Sequence, residues 1–270
     1  MLLLALDTST RQSSVALCTE DALLGEYTWN AGGNHSVELL DHIQRLCSGA
    51  QIALSQLDGV VVATGPGSFN GVRVTLATGK ALTFALKKTL VGISTLDCLA
   101  AQQQQWQGPV CALLEAGRGE LYAACYTFEM VVTGEKLVTY QLRRLGDYVL
   151  LSPEEIGVHV RKQASLQSLS QPWLMTGEVS EASRLILREK CLEQTYFVGA
   201  TRSVRRASVL AMLGLQRVLA GEQDDPLLLE PFYLRRPSIT KSVRKQPLFG
   251  SAIQQSGEHD TEREEGALRH

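Results

Sequence analysis

Gly65-Pro66-Gly67-Ser68-Phe69-Asn70-Gly71 joins an apolar run to a long helical pattern and puts three glycines and a proline into seven positions. Upstream, Leu57, Val60, Val61, Val62 and Ala63 form a short apolar segment suited to a strand buried on both faces of a parallel sheet. A turn of this composition is needed where the backbone takes positive φ or another backbone comes close. Downstream, Asn70 is the expected N-cap, and Phe69 with Val74 would form a hydrophobic staple. Ala77, Ala81 and Ala85 then recur every four residues, a stripe with little side-chain bulk along which another backbone can pack closely. A phosphate loop fits poorly. That motif requires Gly-Lys-Ser/Thr directly after the turn, whereas Gly71 leads into Val72-Arg73 and Lys80 lies well inside the helix. The stretch reads as a strand-to-helix turn.

The 270-residue chain, 44% hydrophobic, can bury a sizeable core in one large domain or two lobes. Its formal net charge of −2 gives no general attraction for nucleic acid, so RNA contact would rest on a local basic patch. Such a patch occurs late: Arg235, Arg236, Lys241, Arg244 and Lys245 fall in a stretch from Pro231 to Gly257 that holds no acidic residue. Cys18, Cys47, Cys98, Cys111, Cys125 and Cys191 are scattered and read as small core residues of a reducing compartment. Six apolar residues before Asp7, with no basic leader, do not make a signal peptide, and no run approaches membrane-helix length. A cytoplasmic location is the expectation.

Residues 2–6, 14–18 and 23–29 read as an antiparallel meander. A helix capped by Asn34 follows, with Leu39, Ile43 and Leu46 facing inward. After the glycine turn and its helix come a strand at 89–93 and a helix at about 95–105, completing an α/β lobe. The second half echoes the first: Val110 to Leu114 ends in Glu115, as the first strand ends in Asp7, and a Gly-Arg-Gly turn leads to another apolar run. A short helix starts at 153–155, a strand spans 173–175, and a helix spans about 203–220, with Val209, Met212, Leu213 and Leu219 as its buried face and Gly221 as its stop. From Lys241 onward apolar periodicity is lost, and residues 241–270 read as a disordered tail.

Leu4-Ala5-Leu6-Asp7-Thr8-Ser9-Thr10, His35-Ser36, the glycine turn through Val72-Arg73, Gly92-Ile93-Ser94-Thr95-Leu96, Gly117-Arg118-Gly119-Glu120-Leu121-Tyr122 and Pro231-Phe232-Tyr233-Leu234-Arg235 follow one another in this order. Over about residues 1–240 the chain resembles the TsaB (YeaZ) family of bacterial tRNA-modification proteins, departing at Asn70, usually threonine, and at Asp41, often proline. The resemblance implies a two-lobed α/β fold of the actin, Hsp70 and sugar-kinase (ASKHA) kind, with lobes at 1–108 and 109–240. It also implies a non-catalytic partner of TsaD that acts with the ATPase TsaE in threonylcarbamoyl transfer to the adenosine beside the tRNA anticodon. Homodimers in isolation, and contact with tRNA only through the complex, follow from the same resemblance. The implied partner surface lies on the helices that carry His35, Leu39 and His42 and Gly71, Val72, Arg73, Ala77 and Ala81.

The same fold ordinarily holds ATP between its lobes, and this chain keeps fragments of that site in Asp7, Thr8, Ser9 and Gly177. The second hairpin carries Arg118 where a phosphate-approaching turn prefers small residues, and Met175-Thr176-Gly177-Glu178 has a single glycine. TsaD binds metal through a His-x-x-x-His pair, and Thr95 and Leu99 stand in those slots here. His35 and His42, with Glu38 between them, read as a solvated helix surface. We therefore expect no catalytic residue, metal or cofactor. Two alternatives remain: a glycoprotease-like peptidase and an ATP-binding enzyme of the same fold.

Overall fold

The computed structural model describes residues 1–31, 35–133 and 137–235. The expected cap Asn34 and the tail 241–270 lie outside the described residues. The meander is present as β1 (Leu2–Asp7), β2 (Gln12–Thr19) and β3 (Leu23–Asn30), followed by α1 (His35–Gly49). The run before the glycine turn is β4 (Gly59–Ala63), and beyond it lie α2 (Phe69–Leu86), β5 (Thr89–Ile93) and α3 (Thr95–Ala101). The sheet order is β3-β2-β1-β4-β5, with β4 parallel to both neighbours and buried along its whole length.

The second half supplies β6 (Val110–Gly117), β7 (Glu120–Thr133), β8 (Leu137–Arg144), β9 (Val149–Leu151), α4 (Pro153–Leu166), β10 (Trp173–Glu178), α5 (Glu181–Lys190), β11 (Thr195–Phe197) and α6 (Ala207–Leu219). Read from its other edge, this sheet runs β8-β7-β6-β10-β11, the same order and the same antiparallel-then-parallel sense as the first. The echo between Asp7 and Glu115 is therefore a repeated architecture, and the fold is the two-lobed ASKHA arrangement. Both sheets lie within one compact unit, Met1–Pro237. Among the described residues, no helix is long and apolar enough to cross a membrane.

Alternation along β1 and β4 divides the first core in two. Leu4, Leu6, Val60 and Val62 meet Leu39, Ile43 and Leu46 of α1 and Val72 and Leu76 of α2. Leu3, Ala5 and Val61 point the opposite way and meet Ala207, Leu210 and Ala211 of α6. Helix α3 lies between the lobes: its Cys98 and Ala101 belong to this second cluster, whereas Leu96 and Leu99 pack on Val110, Ala112 and Tyr126. The outer face of the second sheet is covered by Ile156 and Val160 of α4 and Leu187 of α5.

Several elements differ from the sequence reading. The cap of α2 is Ser68, whose hydroxyl accepts from the Gly71 N–H at 3.4 Å, and Asn70 is already helical. Phe69 is then the first helical residue and stacks on Tyr233, with ring centroids 5.4 Å apart, so the staple with Val74 does not form. Helix α3 is shorter than expected and gives way to turns after Ala101. Helix α6 starts at Ala207 and buries Ala207, Leu210, Ala211, Leu213 and Gly214, while Leu219 is exposed. Small side chains bring that helix onto the sheet, so bulk was a poor guide to burial there. Cys111 and Cys125, distant in sequence, face each other directly across β6 and β7, and both are buried.

Two glycines fix how closely the helices approach β4. A Cβ on Gly79 would run into Val62 from one face, and a Cβ on Gly214 would run into Val61 from the other. We predict that Gly79→Ala and Gly214→Ala each destabilise the protein by about 1–3 kcal/mol through overpacking. Gly199→Ala, where nothing lies within 4 Å, should be near neutral. Urea melts of the three variants check this, and equal midpoints would refute the close-approach role.

Candidate functional site

The glycine turn lies against the turn after β1. The Ser68 N–H donates to Ser9 O at 2.6 Å, and a Cβ at Gly67 or Gly71 would collide with the carbonyl of Ser9 or Thr8. Thr8 is held from the same side: its N–H donates to Thr75 Oγ1 at 2.8 Å and its hydroxyl donates to Gly71 O at 2.7 Å. The Ser9 N–H donates to Asp7 Oδ1 at 2.8 Å, and the Thr95 hydroxyl donates to Ser9 Oγ at 3.2 Å. Asp7, Thr8 and Ser9 are all buried. The N–H groups of Thr8 and Ser9, which a phosphate loop would offer to a ligand, are thus bonded within the protein.

Arg205 enters this region from the segment before α6, and the sequence analysis did not single it out. It is 1% exposed, as is Asp7, and its Nε donates to Asp7 Oδ2 at 2.8 Å. Nη1 pairs with Glu178 at the end of β10, and Nη2 donates to Thr10 Oγ1 at 2.8 Å and to the Gln12 carbonyl. Thr10 closes the circuit by donating to Glu178 Oε2 at 2.7 Å. Burial alone would lower the pKa of the guanidinium, but the charges of Asp7 and Glu178 outweigh it and hold the pKa above its ordinary value. Every face of the cation has an acceptor, as a buried charge requires.

Gly177, expected as part of a nucleotide-site remnant, and Glu115 also have roles within the fold. Gly177 has φ +123° and faces the backbone of Leu113 too closely for any Cβ, so β10 requires a glycine there to pair with β6. Glu115, the counterpart of Asp7, accepts from the Ser180 N–H and the Ser183 hydroxyl, both at 2.9 Å, at the start of α5. Thr95 and Leu99 are buried.

Of the expected partner surface, Leu39, Gly71 and Val72 are buried in the first lobe. His42 lies half-buried under Trp29, with ring centroids 4.2 Å apart, and the side chain of His35 is outside what the structure describes. Arg73, Ala77 and Ala81 are exposed, as is Ala85. The alanine stripe therefore points away from the sheet, beside Phe84, which is 80% exposed. Helix α1 adds Val37, 70% exposed, and Leu40. Arg73 lies over the Phe69 ring at 3.8 Å and donates from Nε to Tyr233 Oη at 3.2 Å, tying the Pro231–Arg235 motif to the start of α2.

Comparison with known proteins agrees with this geometry. The family model described as "TsaD: tRNA N6-adenosine threonylcarbamoyltransferase" matches residues 29–242. The chain is 30% identical over 236 residues to the tRNA threonylcarbamoyladenosine biosynthesis protein TsaB of Bacillus subtilis, covering 87% of this chain and 94% of that protein. With the protein of the same name from Haemophilus influenzae it shares 32% identity over 247 residues, covering 89% of this chain and 96% of the other. The solved structure of YeaZ from Pseudomonas aeruginosa superposes with a TM-score of 0.70 at 26% identity, covering 86% of this chain and 99% of that one. These matches, over 87% and 89% of the chain, establish that it belongs to the TsaB (YeaZ) family.

Proposed function

We propose that this protein works in the cytoplasm as the non-catalytic partner of TsaD, together with TsaE, in forming threonylcarbamoyladenosine beside the anticodon of tRNA. The names of its relatives support the pathway. The observation that carries the non-catalytic part is Arg205, clamped between Asp7 and Glu178 at the place where the ASKHA fold takes nucleotide phosphates. A phosphate group brought to Asp7 would have to displace a cation that already satisfies both carboxylates. In this reading the lobes divide near residue 108, and α6 is lent by the second to the first.

The same reading gives the exposed face of α1 and α2 to TsaD, or to a second copy of the chain when TsaD is absent. Ala77, Ala81 and Ala85 offer a smooth helix surface flanked by Phe84, and Val37 and Leu40 extend the apolar area. Contact with tRNA is made through the complex. The direct test is reconstitution: tRNA modification by TsaD and TsaE should require this chain, and full activity without it would end the proposal.

Three variants probe the parts separately. Arg205→Ala leaves Asp7 buried without its cation, which should cost about 3–5 kcal/mol of stability. Asp7→Asn combined with Arg205→Met should recover part of that loss in a urea melt. Neither variant should gain ATP hydrolysis; a well-folded Arg205→Ala protein that hydrolyses ATP would show Arg205 to be a displaceable gate. Ala77→Arg places a long cation on the exposed stripe, so its melting temperature should stay within about 2 °C of the parent. Its capture of TsaD should fall at least tenfold, about 1.4 kcal/mol, and normal capture would remove this face from the interface.

A further inference from the structure

A cavity of about 380 Å³ lies at the far end of β5, separate from the Arg205 cluster. Its walls include Ser94 and Asp97 at the start of α3, Tyr148 ahead of β9, Arg217 of α6, and Glu230 and Phe232 from the segment that follows α6. That volume suits a small molecule.

The hydrogen-bond inventory decides what kind. The donors on the wall are already engaged. Arg217 Nη1 donates to Gly92 O and to Asp224 Oδ2, both at 2.8 Å, and its Nε donates to Glu222 at 2.8 Å. The Tyr126 and Tyr148 hydroxyls converge on one oxygen of Asp97, Oδ1, at 2.7 and 2.8 Å. The acceptors are less fully used. Among the described residues, neither Asp97 Oδ2 nor the Glu230 carboxylate accepts a hydrogen bond or joins an ion pair. Burial pushes the Asp97 carboxyl up, against the pull of both tyrosine hydroxyls and of Arg144, whose guanidinium lies 4.0 Å from the Tyr148 ring centroid. A cation delivered to the open oxygen would offset that burial. Tyr148 and Phe232 add an aromatic wall, ring centroids 5.0 Å apart, suited to an alkyl chain or to a cation over a ring face.

We propose that this cavity binds a small organic cation, a primary amine or guanidine on a short carbon chain, with its charged end between Asp97 and Glu230 and its carbon chain along Tyr148 and Phe232. None of the residues lining the cavity belongs to the Arg205 cluster. Leu229 also lines the cavity and packs beside Gly92, where a Cβ would meet Leu229 at 3.0 Å and Thr64 at 2.6 Å.

The test uses the full chain and agmatine as the probe, with 1,4-butanediol as a neutral counterpart of similar length. Agmatine should give saturable amide shifts between Gly92 and Cys98 and at Tyr148, and butanediol none. Asp97→Asn should raise the agmatine dissociation constant at least tenfold, and Glu230→Gln several-fold. Because Asp97 receives two tyrosine hydroxyls, its variant is vulnerable to misfolding; Glu230 is exposed, so Glu230→Gln keeps the test decisive. An absence of saturable shifts up to about 10 mM, an equal response to butanediol, or unchanged affinity in Glu230→Gln would each overturn the proposal.

Discussion

Arg205 is the ion on which the junction of the two lobes depends. Its guanidinium reaches Asp7 at the end of β1, Thr10 and Gln12 in the turn and strand that follow, and Glu178 at the end of β10. A buried arginine is tolerated only when attraction and hydrogen bonds together outweigh the cost of leaving water. Here two carboxylates, a hydroxyl and a carbonyl supply that compensation. Taking away the arginine would leave Asp7 buried without its counterion, whereas taking away Asp7 would leave Arg205 with Glu178 alone, so the two carboxylates together fix the position of the guanidinium. In the turn after β1 the N–H groups of Thr8 and Ser9 and the carboxylate of Asp7 are all bonded internally.

Close backbone approach is the second constraint, and glycines set it. The turn at Gly67 and Gly71 sits on the carbonyls of Ser9 and Thr8, and Gly79 and Gly214 let helices reach opposite faces of β4. A run such as Val60-Val61-Val62 is continuous in its apolar character because each face has its own helix to cover it.

Much of this was legible in the sequence because it is local. Short apolar runs between turns placed β1 to β5, the glycine turn marked the start of α2, and the repeated acid-and-turn pattern pointed to a second lobe. What stayed hidden depends on distance along the chain. Arg205 lies 198 residues from Asp7, and no spacing in the sequence links them. The same is true of Cys111 with Cys125, whose pairing appears only once the β6–β7 register is known. Alanines fall on both sides of the fold: in α6, Ala207 and Ala211 are buried contacts, whereas in α2, Ala77, Ala81 and Ala85 face outward. A small side chain allows close packing but does not say what it packs against.

The two halves diverge at the one position where their likeness is plainest. Asp7 ends β1 and Glu115 lies two residues before the end of β6, yet Asp7 turns inward to a buried arginine while Glu115 remains exposed and bonds the first turn of α5. The longer side chain of Glu115 reaches the Ser180 N–H and the Ser183 hydroxyl, which favours a carboxylate at a helix start. Both acidic residues of the duplicated hairpins are therefore committed to partners within the chain. The exposed faces of α1 and α2 carry Val37, Leu40 and Phe84, large apolar side chains that the described fold leaves open to solvent.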